Sequence, residues 1–201
     1  MNNRVKGIKG NSFQRDNVYL LGLRIRFVGQ DNSLIIGGGK VSVLERCNIE
    51  IHGSHNRIII EGGVSAKDLK IYCADEHCFV YVKEDSCVSG QTELAAMEGT
   101  KIIIGKDCLF SANITLRAGD SHSVIDAATS ERINPSKDII IGDHVWIGNT
   151  VIVTKGTVVG NNSVIATGSV VTGKMFPDNC IIGGNPARII KEGIDWNTSK
   201  L

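Results

Sequence analysis

Five histidines, His52, His55, His77, His122 and His144, supply the side chains best suited to moving protons near neutral pH, since imidazole titrates at about 6.5 when unperturbed. His122 stands apart from the others. It lies with Asp120, Asp126, Glu131 and Arg132 in residues 117–137, a stretch without periodicity between two periodic ones. A positioned imidazole acting as general base is worth about 10²–10⁴ in rate. A long aperiodic insertion in a compact repeat is where function concentrates. Metal chemistry finds less support. Only His52 and His55 are close in sequence, no His-x-x-x-x-His spacing occurs, and His77 beside Cys73 and Cys78 reads as a chance cluster. Cys47, Cys73, Cys78, Cys87, Cys108 and Cys180 contain no Cys-x-x-Cys pair, so they read as small buried hydrophobes in a reduced compartment.

The elements that must position such residues are set by a repeat. An aliphatic side chain returns every sixth residue at Ile141, Ile147, Val153, Val159, Ile165 and Val171. A second small or β-branched residue follows four places later at Val145, Val151, Thr157, Ser163 and Ser169. His144, Thr150, Gly156, Asn162 and Gly168 precede those positions and suit corners. A period of six is neither helical nor simply alternating. It fits a short strand plus a corner, three per coil, wound into a triangular solenoid with coils stacked about 4.8 Å apart. Ile104, Phe110 and Leu116, with Cys108 and Ile114, extend the pattern upstream. The expected organisation is an N-terminal extension over 1–16, irregular coils over 17–103, regular hexads over 104–176 interrupted by 117–137, and a C-terminal strand and capping tail over 177–201. Within that tail, residues 187–194 are expected to form a short helix.

Composition agrees with an all-β solenoid. The 201 residues are 42% hydrophobic but only 5% aromatic, with 23 glycines. A net charge of +1 gives no reason to expect nucleic-acid binding. The first residues lack a signal-peptide core and no apolar run approaches membrane-spanning length, so a cytoplasmic protein without membrane insertion is expected. Charge is uneven all the same. Arg4, Lys6, Lys9, Arg15, Arg24 and Arg26 face Asp16 alone within residues 1–26, either as a solvated end or as a surface that steers an anionic partner.

Three segments carry a resemblance. Ile141-Gly142-Asp143-His144-Val145-Trp146-Ile147-Gly148-Asn149 with its following hexads, the tail Gly183-Gly184-Asn185-Pro186-Ala187-Arg188-Ile189-Ile190-Lys191, and Gly119-Asp120-Ser121-His122-Ser123 resemble the hexapeptide-repeat acetyltransferases. Glu131-Arg132-Ile133-Asn134-Pro135-Ser136-Lys137 resembles the branch that O-acetylates bacterial capsule and surface polysaccharides, including polysialic acid. The resemblance implies a left-handed parallel β-helix, a homotrimer, acetyl-CoA as co-substrate in grooves between subunits, and a carbohydrate acceptor.

Carried over residue by residue, it makes His122 the general base that deprotonates a sugar hydroxyl. Asp120 either orients that imidazole or is a solvated loop carboxylate. Trp146, between inward Val145 and Ile147, projects outward and either lines the catalytic tunnel or packs between subunits. Asn149 marks the backbone that stabilises the oxyanion, Thr167 and Thr172 admit the pantetheine arm, and Arg188 and Lys191 meet the CoA phosphates. His144 is read as a corner residue. Other readings are an N-acetyltransferase for an amino-sugar nucleotide, a zinc-binding hexapeptide protein, and a non-catalytic scaffold.

Overall fold

A computed structural model describes residues 2–199. Among these residues every regular element is a strand, and no helix is long and apolar enough to cross a membrane. The chain winds as a parallel β-solenoid. Its first face is an eight-stranded sheet running from Arg4–Lys6 through Arg24–Val28, Asn48–His52, Leu69–Ala74, Thr92–Met97, Ile114–Arg117 and Ile152–Thr154 to Val170–Val171. The second and third faces form one fifteen-stranded ladder, because Ser12–Leu21 and Ser33–Glu45 pass from one face to the other without a break.

Coil size explains why the repeat is visible in only half the sequence. Corner hydrogen bonds between successive coils span 24 and 22 residues early in the chain. They span 37 across the coil that carries residues 117–137, and 18 and 17 beyond it. Only the last two values correspond closely to three hexads per coil.

Inside the prism, Ile141, Val145, Ile147, Val151, Val153, Val159, Ile165 and Val171 are all buried, together with the corner residues Thr157, Ser163 and Ser169. A buried hydroxyl must be hydrogen-bonded to be tolerated. Accordingly, Thr157 Oγ1 donates to the Thr154 carbonyl at 2.7 Å, Ser163 Oγ to Asn161 at 3.0 Å and Ser169 Oγ to Ala166 at 2.6 Å. In the earlier coils asparagines do this work. Asn32 Nδ2 donates to Asn11 Oδ1, the Asn56 N–H to Asn32 Oδ1 and the Cys78 N–H to Asn56 Oδ1, at 2.9, 2.9 and 2.8 Å. Five of the six cysteines are buried and all are free. Burial pushes the five buried thiols up, Cys47 to about 11 and Cys108 to about 12, which keeps them protonated and inert.

Two boundaries differ from the sequence expectation. Within the expected 1–16 extension, the described residues 2–16 are not an appendage, since Arg4–Lys6 and the start of Ser12–Leu21 already pair in register with the second coil. The tail is not a helix. Ala187–Glu192 is a strand that turns back antiparallel on Cys180–Gly184, and the two-residue turn Asn185-Pro186 leaves Gly184 opposite Ala187. Ile189 and Ile190 favour a strand, and the open edge of the last coil offers hydrogen bonds that a helix cannot use.

Candidate active site

Residues 117–137 leave the sixth coil after Ile114–Arg117 and return at Ile139–Ile141. Gly119 is required at the root. A Cβ there would sit 2.1 Å from Ser136 Oγ and 2.7 Å from Met97 Cγ, so only glycine lets the two legs of the loop approach. The chain reverses at Ser121, whose φ is +65° and whose hydroxyl accepts from Arg117 Nη2 at 2.5 Å. Beyond it the loop forms a small hairpin, with an antiparallel bridge between Ile125 and Arg132. The Asp126 carboxylate closes its tip by accepting the N–H groups of Ala128 and Thr129 at 2.8 and 2.9 Å. Those backbone bonds hold it below the usual carboxylate range.

Asn134 organises the part nearest His122. Its Nδ2 donates to Asp120 Oδ2 and to the His122 carbonyl, both at 2.8 Å. Its Oδ1 accepts from the Val124 N–H at 2.7 Å and Arg132 Nε at 3.2 Å. Two ion pairs bolt this assembly to the prism. Arg132 Nη2 donates to both oxygens of Glu98 at 2.7 and 3.0 Å, and the Ser136 N–H adds a third bond at 3.2 Å. Lys155 Nζ donates to Asp120 Oδ2 at 2.5 Å and to the Asn134 carbonyl at 3.0 Å. Arg132 holds the Glu98 carboxyl below its usual range, and Lys155 with Asn134 does the same for Asp120.

The His122 ring is exposed on this platform, and among the described residues no hydrogen bond engages it. Its backbone is fixed while its imidazole faces outward. Asp120 faces Lys155 and Asn134, so it braces the loop.

The remaining candidates are distributed around the prism. Thr172 lies at the corner between the first and second faces, in a groove of about 350 Å³ shared with Lys137, Thr154, Lys155, Gly156 and Gly173. Asn149 and Thr167 stack at the corner between the third and first faces. Asn149 Oδ1 accepts from the Ala112 N–H at 3.0 Å, and Gly148 lacks the Cβ that would press on Thr167 Oγ1 at 2.8 Å. Arg188 and Lys191 are exposed on the terminal strand. Trp146 projects from the third face, 40% exposed, with Nε1 donating to Ser111 Oγ at 3.4 Å.

That third face lies opposite the corner to which Glu98 and Lys155 hold the loop. One chain therefore does not bring His122 and Trp146 together.

Near Trp146 sits a cluster of which sequence reasoning identified only the corner. His144 has the left-handed φ of a corner residue, +53°. Its ring also stacks on Trp196 with centroids 4.2 Å apart and 8° between planes. His144 Nδ1 meets Asp107 Oδ2 at 2.7 Å, Nε2 meets the Trp196 carbonyl at 3.1 Å, and Trp196 Nε1 donates to the His144 carbonyl at 2.8 Å. Trp196 in turn tilts against Trp146 at 6.1 Å. Asn134 falls within a segment that carries the resemblance but without a role of its own there, and Lys155 and Trp196 have no sequence signal. Only the scarcity of tryptophan, two in the chain, marks Trp196 for attention.

Comparison with known proteins gives a consistent result. The bacterial transferase hexapeptide model (six repeats) matches residues 138–173. A polysialic acid O-acetyltransferase of Neisseria meningitidis is 33% identical over 174 residues, covering 86% of this chain and 79% of that protein. One from Escherichia coli O1:K1 is 37% identical over 139 residues, but the match covers 59% of this chain and only 44% of the longer relative. The crystal structure of a polysialic acid O-acetyltransferase superposes with a TM-score of 0.86 at 29% identity, covering 96% of this chain and 90% of that one.

Proposed function

The chain belongs to the hexapeptide-repeat acyltransferases of left-handed β-helix fold, and from that premise we propose that it transfers acetyl from acetyl-CoA to a hydroxyl of a sialic-acid-containing or related surface polysaccharide, with His122 as general base. The observation that carries this reading is the His122 imidazole itself: outward-facing, without a hydrogen-bond partner among the described residues, on a backbone that Asn134 pins.

A sugar hydroxyl is a weak nucleophile at neutral pH and must lose its proton as it attacks. A ring nitrogen of His122 accepts that proton while the oxygen bonds to the thioester carbonyl carbon. Backbone N–H groups near Asn149 take the charge on the carbonyl oxygen. The carbon–sulfur bond then breaks, and the imidazolium returns its proton to the departing thiolate. The products are an O-acetyl ester and free CoA. The side chains present suit such a polyanionic substrate, with Lys137 beside the Thr172 groove and Arg188 and Lys191 exposed on the terminal strand.

The site is composite in this reading. His122 and Trp146 lie on opposite sides of one prism, so a second copy must supply the tryptophan, as in a homotrimer. Ile140 and Ile152, 37% and 44% exposed on the second and first faces, are the kind of apolar surface that such packing covers.

The test is a thiol-release assay with acetyl-CoA and a panel of capsular glycans, with mass spectrometry of the product. His122→Ala is expected to keep acetyl-CoA binding and lose at least about 10² in turnover. Unchanged turnover on a good acceptor removes His122 from the mechanism.

A further inference from the structure

We infer that the first two coils carry a binding site for a carboxylate-bearing polymer, formed by Arg4, Lys6, Arg24 and Arg26 on the first face and distinct from the reaction centre. The inference rests on the acceptor class proposed above, and it assigns part of the recognition to residues far from His122.

The register brings these four cations together. Arg4 stacks on Arg24 and Lys6 on Arg26 in adjacent parallel strands, each pair separated by about one strand spacing, 4.8 Å. All four are exposed, with Ile25 pointing inward between Arg24 and Arg26. Like charges directly opposite one another destabilise a sheet, so folding alone does not favour this arrangement. The acids further along the same face are already engaged. Glu50 accepts from Asn48 at 2.8 Å and lies 3.6 Å from His52, and Glu93 pairs with Lys70 at 2.7 Å. Among the described residues no carboxylate pairs with Arg4, Lys6, Arg24 or Arg26. A groove of about 380 Å³, lined by Asn2, Arg4, Gly22 and Arg24, gives the patch a concave edge.

The patch also shares its face with the foot of the loop. The column Lys6, Arg26, Glu50, Tyr72, Ala95 and Arg117 runs straight along the first face. Arg117 ends it by holding Ser121, the residue before His122. Four strand spacings separate Arg26 from Arg117, about 19 Å. An extended polyanion anchored on the four cations therefore reaches the loop, and a short oligomer does not. Anchoring raises the local concentration of acceptor units without touching the chemistry.

The experiment compares the full chain with R24E/R26E and with the neutral variant R24Q/R26Q. With long polysialic acid the acceptor KM is expected to rise about tenfold in R24E/R26E and less in R24Q/R26Q, and its dependence on salt to flatten. The KM for acetyl-CoA and kcat/KM on a short oligomer of the same sugar should hold. Equal losses on short and long acceptors, or a parental KM for the polymer, overturn the site.

Binding of labelled polysialic acid without acetyl-CoA separates this proposal from the catalytic one. A parent that binds the polymer through these residues yet transfers no acetyl refutes only the acceptor reading. Patch-dependent binding of anionic phospholipid vesicles in place of the polymer refutes the ligand assigned here.

Discussion

Asn134→Ala tests whether the loop is a rigid platform for the base. The substitution removes four side-chain hydrogen bonds, to Asp120, the His122 carbonyl, the Val124 N–H and Arg132. Each is worth about 0.5–1.5 kcal/mol net, and in a half-exposed setting the lower part of that range applies. The ordered loop is thus destabilised by about 2–3 kcal/mol relative to its open forms. The two ion pairs through Glu98 and Lys155 survive, so the loop stays tethered while His122 loses its fixed backbone. If the base works only from the ordered state, kcat falls about 10- to 100-fold. Acetyl-CoA affinity and the unfolding midpoint should barely change, because the prism core does not use Asn134. Steady-state kinetics with isothermal binding of acetyl-CoA and a thermal melt make the distinction. Asn134→Asp sharpens it: both donors are lost and a carboxylate is set against Asp120, so kcat should fall at least as far. Parental kcat in Asn134→Ala refutes the platform, and a loss of activity matched by a large drop in melting temperature shows a structural role instead.

Two further predictions concern the C-terminal strand and tail. Partial burial of His144 opposes its charge, but the Trp196 carbonyl, Asp107 and Asp195 outweigh that and raise its pKa above the ordinary imidazole value. A raised folded value means that the contribution of protonated His144 is complete below about pH 6.5 and is lost as pH rises through the folded pKa. Tryptophan fluorescence should therefore report loosening of the Trp196 stack over that interval, and His144→Gln should flatten the transition. A loosening on acidification contradicts the sign. Arg188→Ala should raise the KM for acetyl-CoA several-fold without altering that for the polymer, and an effect confined to the acceptor contradicts its assignment to the CoA phosphates.

How far the sequence could be read depends on whether a position obeys the period. From Ile141 to Val171 each aliphatic at the hexad position is buried, as are the residues four places later from Val145 to Ser169. One geometric rule governs them all, so a single sequence suffices. Upstream the coils hold more residues, and long strands such as Ser33–Glu45 bend through a corner marked only by Gly37, Gly38 and Gly39. There the alternation is legible and the coil boundaries are not. The C-terminal strand departs from the expected helix because two β-branched residues, Ile189 and Ile190, are too few to decide between strand and helix, and the deciding factor, an unpaired sheet edge, is not local. At the candidate site the type of side chain was legible at His122, while the partner of Asp120 was not. Lys155 reaches it from 35 residues away in sequence, across a fold that had first to be built.

The same geometry explains why catalysis needs an irregular element at all. In a triangular prism each side chain either fills the interior or stands on a face or corner that is at most shallowly grooved, at positions fixed by strand spacing. A substrate site, by contrast, must be concave, exclude water and hold its groups to fractions of an ångström. The corner groove beneath the loop supplies small residues and cations for one edge of such a site, but the prism has no second wall. Two additions can create one: an insertion that stands off the prism, and a neighbouring prism. Residues 117–137 are the first, stiffened by Glu98 and Lys155 so that the insertion behaves as part of the scaffold. On the proposed composite site, the exposed Trp146 on the opposite side of the molecule fits the second, since it would gain a function where another copy's loop arrives beside it. Loss of the tryptophan side chain should therefore affect turnover in the assembled protein, and mixing inactive His122→Ala with inactive Trp146→Ala chains should restore part of the activity through sites in which both residues are intact.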